Sequence, residues 1–194
     1  VSVGNQTTAI TSESQDKLIT NYPLLIKSQQ TTSTGQTSET KTVNPSTNEI
    51  GPVSIVRVID GDTIVVDIDG QQIHIRLIGI NSPELNDKRT QVACLAQKAK
   101  EEAQKLLNGQ NIYLEKDSTQ GDYDKYRRLL AYVFMSDGPV GSQAKTSLNK
   151  LMIEDGYAYE YTYRLPYKYQ NEFKTAQNEA RKAKKGLWGN EFCN

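Results

Sequence analysis

Histidine is nearly missing from this 194-residue chain, which carries one, His74, and its cysteines number two, Cys94 and Cys193. Zinc chemistry built on grouped His and Cys therefore has nothing to build on. No run of about 18 apolar residues occurs, so no segment reads as a membrane span. No basic, apolar leader opens the chain. An excess of charge is also lacking. The 23 Lys and Arg balance 23 Asp and Glu, so any binding of a polyanion has to come from a local cluster. Apolar residues make up 36%, and the mean hydropathy is −0.64, low for a chain that is globular throughout.

The apolar deficit is local. Of the first 50 residues, 27 are Ser, Thr, Asn or Gln. Such a segment cannot bury enough apolar surface to offset the entropy of ordering it. Residues 1–52 are expected to be a mostly disordered tail with one apolar island, "KLITNYPLLIK", and residues 53–194 a folded domain. The chain opens on Val1 rather than Met, which suits a processed product. By composition alone, such a tail suits a spacer on a secreted or surface-attached bacterial protein. Cys94 and Cys193 are either two small buried thiols or, as export favours, a disulfide. Closing so long a loop would stabilise by roughly 4 kcal/mol.

From Ser54 the period becomes two. "SIVRVIDGDTIVVDIDGQQIHIRLIGI" is dense in β-branched residues, and Asp69-Gly70 marks a two-residue hairpin. Ile73, Ile75 and Leu77 share one face, His74 and Arg76 the other. After "NSPE" the period is helical, with Leu95, Ala99, Ala103 and Leu106 on one stripe and Gly109 past the end. "NIYLE" and "LLAYVFM" read as strands on either side of a polar loop, "KDSTQGDYDKYRR". Helices follow at "SLNKLMIEDG" and over about Tyr169 to Lys185. The order βββ-α-ββ-α-α with short strands argues an α+β domain built on a small closed barrel.

Taken in order, "VIDGDT", "RLIGINSPE", "DKYRRLLAYV", "LNKLMIEDGYA" and "KKGLWG" resemble the staphylococcal nuclease (thermonuclease) family over residues 54 to 190. The resemblance implies an OB-fold, a five-stranded barrel with three helices, and Ca²⁺-dependent hydrolysis of phosphodiester bonds in DNA and RNA. An alternative is a non-catalytic OB-fold module that only holds nucleic acid or protein. Loss of Asp62, Glu84 and both arginines would mark that class, and all four are present.

On its own, Asp62 in "DGDT" is ordinary turn chemistry. The resemblance makes it a metal ligand, with Asp60, two residues earlier on the same side of an extended chain, as an outer-shell group. Asn81 and Ser82 supply the other ligands, Ser82 through its backbone carbonyl. The family commonly has Asp where this chain has Asn81. A carboxamide still offers Ca²⁺ an oxygen but brings no charge, so weaker calcium binding is expected. Glu84 could simply face a helix macrodipole; the resemblance makes it the base that activates water. Arg76 and Arg128 become the phosphate clamp, since guanidinium meets phosphate bidentately. Where the family has glycine this chain has Arg127, strained if that glycine takes positive φ. Arg128 keeps the spacing to "LAY" and is preferred as the clamp.

Lys125 and Tyr126 are expected at the nucleotide's terminal phosphate. One of Tyr161 or Tyr163 would stack on a base of a single-stranded or melted substrate. "YAYEYTY" reads equally well as a half-buried amphipathic strand. His74 is read as a solvent-facing strand residue, and a monomer is expected.

Overall fold

The computed structural model describes residues 48–136, 145–189 and 193. The expected tail up to residue 47, and the turn "SDGPVGSQ" over most of its length, lie outside the described residues.

Three antiparallel strands open the domain: β1 (Glu49–Asp60), β2 (Thr63–Ile68) and β3 (Gln71–Leu77). The β2–β3 hairpin turns at Asp69 and Gly70, both in the left-handed region at φ 53° and 83°. A type I′ turn demands this, which is why Asp-Gly was legible as a hairpin. β5 (Asn111–Glu115) and β6 (Leu129–Ser136) form a second antiparallel pair. β1 is long enough to pair with both β2 and β5, and three register shifts along it supply the bend. Parallel pairing of β3 with β6 (Ile75↔Leu129, Arg76↔Leu130, Leu77↔Ala131) closes the circuit β1-β2-β3-β6-β5. The result is a five-stranded OB-type barrel with three helices, as expected.

The boundaries shift in places. β1 already pairs at Glu49↔Glu115 and Ile50↔Leu114, ahead of the boundary expected at residue 53, because β5 offers a partner that local composition does not reveal. Three two-residue strands, β4 (Ile80–Asn81), β7 (Thr146–Ser147) and β8 (Tyr159–Glu160), are too short to have a period. Helix α1 (Thr90–Leu107) buries Ala96, Ala99, Ala103 and Leu107, a stripe rotated slightly from the expected one. Its alanines let the helix axis lie close to the barrel. α2 is Leu148–Glu154, and α3, Gln170–Lys182, is shorter at both ends than expected.

Ile64, Val66, Ile75, Leu77, Leu114 and Val133 fill the barrel. Each such side chain contributes roughly 1.5–3 kcal/mol on burial. Phe173 of α3 packs edge-on to Tyr132 of β6. Fully buried Asn149 on α2 joins two elements: its Nδ2 donates to the Ile78 carbonyl at 2.8 Å and its Oδ1 accepts from the Val133 amide at 2.9 Å. The stretch after β3 is thereby held against β6, beside the corner where the motif residues gather. The Cys94–Cys193 disulfide is present, with Cα atoms 6.1 Å apart, and ties α1 to the C-terminal segment. Among the described residues no helix is long and apolar enough to cross a membrane.

Candidate active site

The site forms where the β1–β2 turn, the end of β3 and the start of β6 meet. Register brings them together: Thr63 stands opposite Arg76 across the β2–β3 pair, and Arg128 immediately precedes the residue that pairs with Ile75. Asp62 is almost wholly buried. Its Oδ1 accepts from Thr63 Oγ1 at 2.9 Å, and its Oδ2 accepts from the Ser82 amide at 2.8 Å and lies 3.2 Å from Arg76 Nη2. Arg76 Nη1 donates to the carbonyls of Leu77 (2.7 Å) and Ile80 (2.9 Å), and Nη2 to Asn81 Oδ1 (3.2 Å). An arginine at this depth is tolerable because both of its Nη groups have acceptors. It is also oriented. A rigid fork is what a phosphate clamp needs.

Arg128 reaches the same corner from the other side, its Nη1 donating to Thr63 Oγ1 at 3.1 Å. Asp124 aims it. One carboxylate oxygen accepts from the Arg128 backbone amide at 2.9 Å, the other from its Nε at 2.7 Å. Thr63 and Asp124 escaped the sequence reading. Their only signals were adjacency to Asp62 and a four-residue offset from Arg128, and both are common by chance.

The adjacent arginines lie differently: Arg128 reaches the Asp62 corner, while Arg127 is exposed. Arg127 also sits at φ 63°, in the left-handed region that favours glycine. For a residue with a Cβ that conformation costs roughly 1–2 kcal/mol.

Asp60 does not share an extended strand with Asp62, as expected from spacing. It ends β1, and its Oδ1 accepts from the Asp62 amide at 3.1 Å, so the two acids flank a turn. Burial, and then the charge of Asp62, push the Asp60 carboxyl up to about 6. Gly61 between them is obligatory. A Cβ there would come within 2.8 Å of both the Ala99 and the Ser82 side chains.

Glu84 lies two residues beyond Ser82, exposed, and its side chain has no hydrogen bond or ion pair with a described residue. Lys125 and Tyr126 cluster with Arg128: the lysine Nζ is 4.9 Å and the Arg128 Cζ 5.4 Å from the Tyr126 ring centroid. The Tyr126 hydroxyl, with Tyr163 among the lesser contributors, holds the Lys125 ammonium above its ordinary range. Tyr161 and Tyr163 face each other at 6.3 Å, and only Tyr159–Glu160 of "YAYEYTY" is strand. His74 is exposed, as expected.

The donors at the Asp62 corner suit a hard divalent cation in kind: carboxylate, carboxamide and backbone carbonyl oxygen, with no imidazole or thiolate. Two crowded acids, one with its ionisation opposed, are also what a cation would relieve. In charge the set is lean. Among the described residues no group of three or more His, Cys, Asp or Glu is placed to hold a metal.

A small closed barrel with an acid and two oriented arginines at one corner defines a class of OB-fold proteins equipped to grip a phosphate. Sequence comparison narrows this. A family profile described as "Staphylococcal nuclease homologue" matches residues 74–190. The chain is 38% identical to a thermonuclease of Staphylococcus hyicus over 136 residues, 70% of this chain and 75% of that one. To a thermonuclease of Staphylococcus intermedius it is 36% identical over 134 residues, covering 69% and 74%. It is also 29% identical over 141 residues to a protein named micrococcal nuclease from Shigella flexneri, covering 69% and 71%. The chain belongs to the staphylococcal nuclease family.

Proposed function

We propose that the protein is a Ca²⁺-dependent nuclease that cleaves DNA and RNA with little sequence preference, leaving a 3′-phosphate and a free 5′-hydroxyl. The reading rests on one observation: the unbroken chain Arg76–Asp62–Thr63–Arg128, with links of 3.2, 2.9 and 3.1 Å, that locks two guanidinium groups and one carboxylate around one corner.

Asp62, Asn81 and the Ser82 carbonyl would hold the cation, with Asp60 behind them. Bound there, it would supply positive charge against the scissile phosphate. Arg76 and Arg128 place two further cationic forks where negative charge grows as phosphorus becomes pentacoordinate. Each preorganised donor is worth roughly 3–4 kcal/mol of transition-state stabilisation. Glu84 takes a proton from the attacking water as its oxygen bonds to phosphorus. The bond from phosphorus to the 5′-oxygen breaks in line, and that oxygen leaves as a hydroxyl on taking a proton from solvent water, with the Arg128 guanidinium beside it to offset its charge. Exposed tyrosines suit unpaired bases, which favours single-stranded or melted substrate. The disulfide supports secretion or display at the cell surface. Nothing in the mechanism requires a second subunit.

The test is hydrolysis of heat-denatured DNA and of RNA with calcium, with EGTA, and by Glu84→Gln. Expected are activity only with calcium and a fall in kcat of roughly 10²–10⁴ for the variant. Its Tm should not move, since the carboxylate is exposed and makes no hydrogen bond or ion pair with a described residue. Full activity of Glu84→Gln, or activity undiminished by EGTA, refutes the mechanism. Tight binding of DNA without cleavage would favour the non-catalytic OB-fold module.

A further inference from the structure

Beside the clamp lies a surface with three cations that make no ion pair with a described residue. Elsewhere many of the described basic residues are paired: Lys145 with Glu49, Lys150 with Glu154 and Glu172, Lys168 with Glu115, Lys185 with Asp155. Lys125, Arg127 and Arg164 have no ion pair with a described residue. The loops that hold them also carry exposed rings: Tyr123 is 49%, Tyr126 67% and Tyr163 63% accessible, the Lys125 Nζ lies 4.9 Å from the Tyr126 ring centroid, and the Arg164 guanidinium lies 5.2 Å from that of Tyr163. In a chain of zero net charge, unpaired cations interleaved with aromatic rings form the local cluster that a polyanion requires.

The two loops that carry this surface are braced to each other. Gln120 Nε2 donates to the carbonyls of Leu165 (3.3 Å) and Pro166 (3.1 Å), and Thr119 Oγ1 to that of Pro166 (3.3 Å). Asp117 accepts from the Lys168 amide at 2.9 Å. The arginine is held just as firmly: the Arg127 amide donates to the Asp124 carbonyl at 3.0 Å, while the Asp124 side chain accepts from the amides on either side, at Tyr126 and Arg128. A strained backbone that its surroundings over-determine is a mark of a functional position. Here the strain projects a cation into solvent next to the clamp. Glycine would remove both.

We infer that Arg127, with Arg164 and Tyr123, forms a platform continuous with the clamp that grips the single-stranded nucleic acid beyond the cleaved phosphate, so that Arg127 is a positioning residue for long substrates. The inference rests on the nuclease reading. It assigns the occupant as a single strand because paired bases would bury the faces that these rings stack on.

The test is binding of a fluorescent single-stranded oligonucleotide of about a dozen nucleotides, titrated with salt in EDTA, alongside KM and kcat with calcium. Loss of one phosphate contact lowers the slope of log K against log salt by roughly 0.7, which is about fivefold weaker binding at 0.1 M salt. Arg127→Gly should show this drop, with KM raised on long strands, kcat held, and a Tm no lower than wild type because glycine accepts the positive φ. Arg127→Lys should restore the slope, and Arg164→Ala should reproduce the loss. If wild type cleaves but Arg127→Gly keeps the full slope and KM, the platform is refuted while the nuclease reading stands. If wild type neither binds nor cleaves, both fall. Displacement of the strand by polyglutamate of equal charge would reassign the surface to an acidic protein.

Discussion

Replacing Asp117 by Asn should loosen the substrate-facing loops without touching the catalytic corner. Asp117 is buried at the start of the loop that leads to Arg128. One carboxylate oxygen accepts from the Thr119 amide (2.9 Å) and hydroxyl (2.7 Å), the other from the Tyr132 hydroxyl (2.7 Å) and the Lys168 amide (2.9 Å). A carboxamide keeps one acceptor oxygen and turns an NH₂ toward the donors of the other. Hydroxyls can rotate to accept; backbone amides cannot. Whichever way the amide is turned, one N–H is left facing a donor, at roughly 1–3 kcal/mol, and the surviving bonds lose their charge assistance. A total of about 2–4 kcal/mol follows, or roughly 5–15 °C in Tm for a domain of this size.

The pH dependence makes this prediction sharper. Burial alone would raise the Asp117 pKa, but the hydrogen bonds from Lys168, Tyr132 and Thr119 outweigh it and hold the carboxyl below its ordinary range. A depressed folded-state pKa contributes stability that is fully present above the unfolded value, near 4, and is lost as pH falls through the folded value. The gap between wild type and Asp117→Asn should therefore be constant from pH 7 to about 5 and shrink below about 4. Thermal unfolding followed by circular dichroism across that range is the assay. Equal Tm values at pH 7, or a gap of constant size down to pH 3, would refute the reasoning.

Asn81→Asp should bind calcium about tenfold more tightly by calorimetry, because it adds a charge near Asp62 in a site of intermediate dielectric. The gain is moderated by Arg76, whose Nη2 already lies 3.2 Å from the Asn81 oxygen. Equal or tighter binding by wild type would refute the assignment of Asn81 to the cation. Cys193→Ser opens a loop spanning 99 residues of sequence and should cost up to about 4 kcal/mol. Dithiothreitol should lower the wild-type Tm to that of the variant, and a reductant-insensitive Tm would exclude the bridge.

Much of the barrel was legible because its signals are local. Asp69-Gly70 announced the hairpin through the left-handed turn it needs, and alternating β-branched residues announced β2 and β3. The residue types at the corner were legible too, because Asp62, Arg76, Asn81 and Arg128 sit in short motifs. Their company was not. Thr63 meets Arg128 through a contact that the pairing of separate strands creates, and Asp124 aims it through a fold of the loop that has no period to announce it. β4 and β8 are too short for any period.

Local chemistry alone determined where the chain turns, where it becomes helical, and which side chains can hold a cation or a phosphate, since turn geometry and hydrophobic period are properties of neighbouring residues. Only the closed barrel decided that Asp62 pairs with Arg76, that Arg128 rather than Arg127 meets them, and that Arg127 is left facing solvent at φ 63°. The hairpin register of β2 and β3 sets the first of these, but the arrival of Arg128 depends on the parallel β3–β6 seam, which joins segments more than 50 residues apart. No window along the chain contains both sides of it.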